Sequence, residues 1–135
     1  MIVNYYTEFK NSMLLNNAFF QFLTEEIKVM LITDNYVFDP LHFTTAVLVP
    51  GDEIVDPGYV AGGKTLTGKN RVNQSLFADN LSWASINTPV SGALMYKAGG
   101  GLLMAHIDFE ATYNPFGDGI QFNWSPSGAF VLSTD

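Results

Sequence analysis

The segment "GYVAGGKT", residues 58–65, matches the phosphate-binding pattern G-x-x-x-x-G-K-[ST] at all four fixed positions. In nucleotide-binding proteins a buried strand precedes this pattern and a helix follows it, so that backbone N–H groups converge on phosphate. Here the preceding "DEIVDP" ends in proline, and the following "LTGKNRVNQ" has no apolar stripe at helical spacing. We therefore predict a structural turn at Gly58, Gly62 and Gly63 that enters a strand, with positive φ at the last two glycines.

The two histidines are the next residues that could do chemistry. His106 and Asp108 are two positions apart in an apolar segment, so a strand would present both on one face. They could supply two ligands of a metal site, but the sequence indicates no third ligand, and zinc needs three or four. We therefore predict a polar stripe that faces solvent, and we predict no metal site. His42 lies in a proline-flanked loop.

The chain lacks the residue patterns that covalent catalysis commonly uses. The sequence contains no cysteine and no G-x-S-x-G motif, which removes the common nucleophile arrangements. The acids at 25–26, 52–53 and 56 fall at a predicted helix end and in a proline-rich loop, where solvated charge is the usual explanation. We predict that the protein is not an enzyme and has no cofactor.

Composition excludes two classes of partner. The 135 residues carry 13 acidic and 6 basic side chains, a formal net charge of −7, and the basic residues do not cluster. Nucleic-acid binding requires clustered lysine and arginine, so we predict none. No apolar run approaches the roughly 18 residues of a membrane span. The start, "MIVNYYTEFK", lacks the features of a secretory signal, so we expect the chain to fold in a cytoplasm.

The elements that must position these residues are mostly strands. Residues 1–8 are mixed, with apolar and aromatic side chains at 2, 3, 5 and 6, and they predict an N-terminal arm that docks on a neighbour, with an edge strand as the alternative. Residues from about 9 to 23 have apolar side chains at helical spacing and predict one helix. Six later segments have the length and spacing of strands: 26–33, 46–49, 90–97, 102–109, 119–124 and 129–134.

The predicted fold is mainly all-β, an antiparallel β-sandwich or small barrel with one N-terminal helix. Residues 9–135 would form this single domain, and 1–8 would be removable without changing its melting transition. The connection at 34–58 is long and rich in proline and glycine, and long loops are often functional or bound to a partner. Aromatic and apolar residues of the arm and loops are the candidate partner interface: Tyr5, Tyr6, Phe38, Phe43, Val47, Val49 and Phe116.

Five segments of the chain resemble, in the same order, a group of small tailed-bacteriophage proteins. They are "EEIKVMLITDNYVFDP", "GYVAGGKTLTGK", "FADNLSWAS", "GALMYKAGGGLLMAHIDF" and "IQFNWSPSGAFVLST". The resemblance covers about residues 25–134. Its Y-x-A-G-G-K-x-L stretch does not require Gly58, which favours a structural turn. The chain departs from the group at 34–57, where "LHFTTAVLVPGDEIVDP" replaces a polar loop.

The resemblance implies a virion component, assembled in the host cytoplasm. Within that class we favour a capsid decoration or cement protein, because the chain is small, weakly charged and has an apolar loop and an aromatic arm. Its expected partners are the major capsid protein or other virion proteins, and a symmetric homo-oligomer is expected. The alternatives are a tail, neck or fibre-adaptor component, a phosphate-binding protein of the P-loop type, and a carbohydrate-binding sandwich that uses Trp83 or Trp124.

Overall fold

The computed structural model describes residues 1–14, 23–72, 75–124 and 130–134. Within these ranges the chain forms ten strands, one α-helix and one 3₁₀ helix. Their bounds, in chain order, are β1 (Ile2–Tyr5), α1 (Thr7–Leu14), β2 (Ile27–Ile32), the 3₁₀ helix (Thr45–Val47), β3 (Lys64–Thr65), β4 (Asn70–Val72), β5 (Ser75–Phe77), β6 (Leu81–Trp83), β7 (Val90–Lys97), β8 (Leu103–Tyr113), β9 (Ile120–Trp124) and β10 (Phe130–Thr134). Neither described helix is long and apolar enough to cross a membrane.

The strands pair antiparallel in three sheets. The largest has five strands in the order β1-β8-β7-β2-β3, a second has three in the order β10-β9-β6, and β4 pairs with β5 alone. The predicted mainly β, antiparallel fold with a short N-terminal helix is therefore confirmed. The described strands leave open edges at β1 and β3 and do not close into a barrel, so the sandwich is the better of the two predicted forms.

The main core lies between the five-stranded and three-stranded sheets. Val29 of β2 and Ile107 of β8 pack there with Trp83 and Phe122 of the smaller sheet, and all four are almost fully buried. The Trp83 and Phe122 rings meet edge to face with their centroids 6.0 Å apart. Burial of each large side chain contributes about 1.5–3 kcal/mol, so this layer supplies much of the stability.

A second, smaller core lies on the opposite face of the five-stranded sheet. Met30 and Leu94 project from this face, and Tyr36 and Phe38 of the connection after β2 cover them together with Tyr6. Because both faces of β2 and β7 are covered, these strands are apolar along most of their length and do not alternate. The long connection is thus part of the packed structure.

The central hairpin and the last strand pair are placed as predicted. Segments 90–97 and 102–109 form β7 and β8, and β8 continues to Tyr113. The pairing of 119–124 with 129–134 corresponds to β9 and β10. The strand predicted at 46–49 is wrong, because residues Thr45–Val47 form a 3₁₀ helix whose first turn is capped by the Thr44 hydroxyl, which accepts from the Ala46 N–H.

The N-terminal segment differs from the predicted arm and helix. Ile2–Tyr5 forms the edge strand β1 along β8, which is the alternative considered for this segment. The helix begins at Thr7, two residues earlier than predicted, because Tyr6 already accepts the first helical hydrogen bond from the Lys10 N–H. It is described as far as Leu14, and the predicted stretch 15–22 lies outside the described residues.

Candidate functional site

The glycine loop is a tight turn that passes close to two other backbone segments. Gly62 and Gly63 have φ values of 93° and 80°, a region in which glycine is not penalised. A Cβ atom on Gly63 would lie 1.8 Å from the Val29 carbonyl oxygen, and one on Gly58 would lie 1.9 Å from the Ser85 carbonyl oxygen. Close approach to neighbouring backbone therefore requires glycine at Gly58 and Gly63, and no phosphate is needed to explain these residues.

Carboxylates occupy the loop N–H groups that a phosphate would need. The Gly62 N–H donates to Glu53 Oε2 at 2.7 Å, and the Tyr59 hydroxyl donates to the same oxygen at 2.5 Å. Burial, followed by the contact with Glu53, raises the pKa of Tyr59. Lys64 begins strand β3, donates to the Ser82 carbonyl oxygen and lies 5.6 Å from the centre of the Trp83 ring. A second anion at this loop would face Glu53 at close range.

Asp56 joins the same loop to the segment before β7. Its carboxylate accepts four hydrogen bonds, from the N–H groups of Gly58, Asn87 and Thr88 and from the Thr88 hydroxyl, each 2.9 Å long. The bond from Gly58 comes first among the causes that lower the pKa of Asp56, with burial opposing it. The side chain is buried, so it fixes two loops from the inside.

Asp52 fixes the earlier part of the connection in a similar way. Its carboxylate accepts from Asn35 Nδ2 at 2.6 Å and from the Val49 N–H at 2.9 Å. Its carbonyl oxygen accepts from the Thr33 N–H at 2.8 Å. The chain therefore leaves β2, runs about twenty residues, and returns to β2 through Asp52 with a defined path.

This fixed connection and the glycine loop that follows it expose large apolar side chains, which we call the connection surface: Val37, Leu41, Phe43, Val47, Val49, Val55 and Val60. Val55 is the most open of them, with 88% of its area exposed. Among the predicted interface residues, Phe43, Val47 and Val49 belong to this surface. Val37, Leu41, Val55 and Val60 were not among the residues predicted to contact a partner.

The remaining predicted interface residues are divided between the surface and the interior. Tyr6 has no exposed area, so its prediction as a partner contact is wrong: it fills the second core. Phe38 packs against the Tyr6 ring with centroids 5.0 Å apart and is half-buried. Tyr5 stays exposed on β1 and stacks on Phe9.

Phe116 stands apart, on the turn between β8 and β9. It is 84% exposed and has a positive φ of 53°, followed by Gly117 at 88°. A bulky residue in this region is uncommon and strained. The turn holds it through a bond from the Asp118 N–H to the Pro115 carbonyl oxygen. Phe116 is therefore a fixed, exposed aromatic side chain.

A cleft of about 530 Å³ lies on the outer face of the five-stranded sheet, next to the connection. We call it the histidine cleft. Its floor includes Asn4, His106 and Asp108, and one wall includes Tyr36 and Phe38. His106 and Asp108 share one face of β8 as predicted, but the prediction that both face solvent is wrong, because Tyr36 and Phe38 cover His106.

The environment of His106 is mainly aromatic. The Phe38 ring stacks on the imidazole at 5.3 Å and 10°, and the Tyr36 ring lies at 5.6 Å on a tilt. Burial lowers the pKa of His106, and the Asp108 carboxylate opposes this in part. The His106 Nδ1 atom is buried and has no hydrogen-bond partner in the part of the chain that the structure describes.

A hydrogen-bonded chain runs beside the cleft. The Tyr6 and Tyr36 hydroxyl oxygens are 2.6 Å apart, and the Tyr36 hydroxyl lies 2.9 Å from His42 Nδ1. Burial raises the pKa of both tyrosines, so both hydroxyls stay protonated at neutral pH. Among the described residues, no group of three or more His, Cys, Asp or Glu side chains is arranged to hold a metal ion.

The two tryptophans belong to the packed layers. Trp83 is 2% exposed in the main core, so its side chain is not open to a sugar ring. Trp124 is half-buried and tilts against Phe77 with centroids 6.3 Å apart. A carbohydrate platform at Trp83 is therefore excluded in this conformation.

Comparison with protein-family models, with curated proteins and with solved structures finds no significant match to this chain.

Proposed function

We propose that this chain is a non-enzymatic structural protein of a tailed-phage virion, and that it acts as a capsid decoration or cement protein. The observation that carries the proposal is the connection surface, seven large apolar side chains exposed on the ordered connection and the glycine loop after it. Several large apolar side chains exposed on one segment favour a protein contact site. The resemblance in five segments supplies the virion context.

The connection surface is prepared for binding because its backbone is already ordered. The carboxylates of Asp52 and Asp56 hold the connection near its start and near its end. Asp52 accepts two hydrogen bonds and Asp56 accepts four. A partner therefore does not have to order the loop, and less of the binding free energy is lost to entropy. Phe43 is the aromatic residue on this surface and the best candidate for an anchor.

The proposed partners are the major capsid protein, other virion proteins and further copies of this chain. Contacts between identical subunits would form a closed symmetric oligomer. Phe116 and Tyr5 offer additional exposed aromatic side chains for such contacts. A tail, neck or fibre-adaptor role would use the same surface, and copy number separates the two roles, since decoration proteins occur hundreds of times and adaptors a few times in each particle.

The experiment compares substitutions on and off the connection surface. We expect Phe43→Asn combined with Val49→Asn to weaken binding to particles that lack this protein by roughly 30-fold, because a lost apolar anchor costs about 2 kcal/mol. Binding is measured by co-sedimentation with such particles. Val72→Asn is the matched control, because Val72 is equally exposed on β4 but lies outside the surface.

Two results would contradict the proposal. The first is unchanged particle binding by the double variant, with the melting transition preserved. The second is an equal loss of binding by Val72→Asn, which would indicate a general effect of surface polarity.

A further inference from the structure

Strand β1 forms one edge of the five-stranded sheet, and part of its backbone is unpaired there. The Tyr6 N–H donates to the Met104 carbonyl oxygen at 3.2 Å, and every second residue of an antiparallel strand bonds to the same neighbour. Val3 and Tyr5 therefore direct their N–H and C=O groups away from β8. In the part of the chain that the structure describes, these groups have no hydrogen-bond partner. They are available to pair with another strand.

The two open edges of this sheet differ in how they are protected. Strand β3, at one edge, has two residues and presents the exposed Lys64. Short strands and lysine side chains are among the features that keep an edge from pairing with another chain. Strand β1, at the other edge, has four residues without charge or proline, and its register on β8 contains no bulge. The β1 edge therefore favours the addition of a strand.

A second copy of β1 satisfies the unpaired groups of the first. When two such strands lie antiparallel about a two-fold axis, Val3 of one copy faces Tyr5 of the other, and each of these pairs exchanges two hydrogen bonds. The two symmetric pairs use every unpaired backbone group that Val3 and Tyr5 present. Valine opposite tyrosine is also a favourable side-chain pair. In the single chain 46% of the Tyr5 area is exposed, so this pairing would cover it.

Asn4 would lie on the two-fold axis, opposite its own copy. This is a position without backbone hydrogen bonds across the new pair, where Cα atoms are about 4.5 Å apart. A side-chain amide carries both donors and an acceptor, so it can bond to an identical amide. The Met1 amino group, which precedes the strand, is held by Glu110 at 2.5 Å. The contact therefore brings no unpaired charge of β1 against its own copy.

We propose that β1 is a dimerisation edge, which pairs antiparallel with β1 of a second copy about a two-fold axis at Asn4 and joins the two five-stranded sheets into one. A strand of another protein could use the same edge, but the match of Val3 with Tyr5 and of Asn4 with itself favours a second copy. The inference rests on one part of the proposed function, the contact between identical copies. It can fail while particle binding through the connection surface holds, because it is measured on the purified protein alone.

Sedimentation velocity of the full chain at a series of concentrations measures the association, and we expect an equilibrium between monomer and dimer. Amide hydrogen exchange locates the contact. The Val3 and Tyr5 amides should exchange about tenfold or more slowly in the dimer than in the monomer, because they become hydrogen-bonded. The Thr65 amide is the control at the opposite edge. It points away from β2, because the next residue, Leu66, donates its N–H to the Ile27 carbonyl oxygen, and its exchange should not depend on concentration.

A cysteine substitution tests the register. The chain contains no cysteine, so Asn4→Cys introduces a single thiol, and a separation of about 4.5 Å between Cα atoms across the axis suits a disulfide bond. Under mild oxidation we expect a disulfide-linked dimer, with a yield about tenfold above that of Asn70→Cys. Asn70 is the matched control, because it is an exposed asparagine on β4, outside the five-stranded sheet.

Charge variants test the two-fold axis. Asn4→Lys and Asn4→Asp each place like charges opposite each other, so each alone should raise the dissociation constant of the dimer by about tenfold or more. An equimolar mixture of the two should associate again, because opposite charges then face each other. Asn70→Lys should leave the dissociation constant unchanged. Thermal melting of each variant monitors whether the fold is retained.

The proposal is overturned if the wild-type chain stays monomeric up to about 1 mM, or if the Val3 and Tyr5 amides exchange as fast in a dimer as in the monomer. Equal cross-linking of Asn4→Cys and Asn70→Cys would also overturn it. Protection of the Val3 and Tyr5 amides that appears only when virus particles are added would assign the edge to a strand of another virion protein. That result, too, would contradict pairing between copies.

Discussion

At the residue scale, buried and half-buried acids organise the loops of this protein. Asp56 receives four hydrogen bonds, Asp52 receives two from side chain and backbone donors, and Glu53 receives two within the glycine loop. These acids were interpreted from sequence as solvated charge. Sequence could not show the role of Asp56, because three of its four hydrogen bonds come from Asn87 and Thr88, about 30 residues away in the chain.

Asp56→Asn is expected to lower the free energy of unfolding by about 2 kcal/mol, since an amide NH₂ group must face at least one N–H donor and leave it unsatisfied. Chemical denaturation at pH 7 measures this change. Asp118→Asn, at an exposed acid of the turn before β9, should change the free energy by less than about 0.5 kcal/mol. Equal effects of the two substitutions would contradict the role assigned to Asp56.

The Asp56 carboxylate also makes the free energy of unfolding depend on pH, and the direction of its pKa shift fixes the sign of that dependence. The pKa of Asp56 is lowered in the folded chain from its ordinary value of 3.8, so its stabilising effect is fully present above that value. As pH falls through the lowered folded pKa, the effect is lost. The difference in stability between wild type and Asp56→Asn should therefore shrink in acid, which denaturation curves at several pH values below about 5 would detect. A difference that stays constant would contradict this assignment.

Gly63 tests the interpretation of the glycine loop as a structural turn. Gly63→Ala should destabilise the fold by more than about 1–2 kcal/mol, because φ is positive and the new Cβ atom would collide with the Val29 carbonyl oxygen. Gly99→Ala is the control, since its Cβ atom would come no closer than 4.0 Å to another group. Thermal melting of both variants measures the difference, and similar melting temperatures would contradict the structural role.

At the scale of elements, the sequence predicted those strands whose apolar pattern is visible within one short segment of the chain. The β7–β8 hairpin and the β9–β10 pair follow from apolar runs joined by short turns. The role of residues 33–50 did not follow, because Tyr36 and Phe38 pack on Met30, Leu94 and Tyr6 only through tertiary contacts. For the same reason the histidine cleft was not predicted: β8 supplies its floor, and a loop some 70 residues earlier supplies its wall.

Strand β1 and the residue after it provide a matched test of this packing. Tyr6→Ala should lower the free energy of unfolding by about 3–5 kcal/mol, because a large aromatic side chain leaves a filled core. Tyr5→Ala, at the neighbouring exposed position, should cost less than about 1 kcal/mol. Urea denaturation of both variants measures the contrast. If both were nearly neutral, residues 1–8 would be the detachable arm predicted from sequence, and the second core would not depend on them.

At the scale of the whole molecule, the chain is a β-sandwich whose outer sheet face is covered by its own long connection. The inner part of the connection, including Tyr36 and Phe38, completes the fold, and the outer part exposes the connection surface. A loop that only closed the core would have no need of seven exposed apolar side chains. This division is the physical basis of the proposal that the chain binds other virion proteins.

The proposed virion role is tested most directly by quantitative mass spectrometry of virus particles purified from the source of this sequence. We predict that the chain is present at hundreds of copies per particle when calibrated against the major capsid protein, and that residues of the connection surface are protected from surface labelling in the particle but labelled in the free protein. Absence of the chain from intact particles would contradict the proposed function.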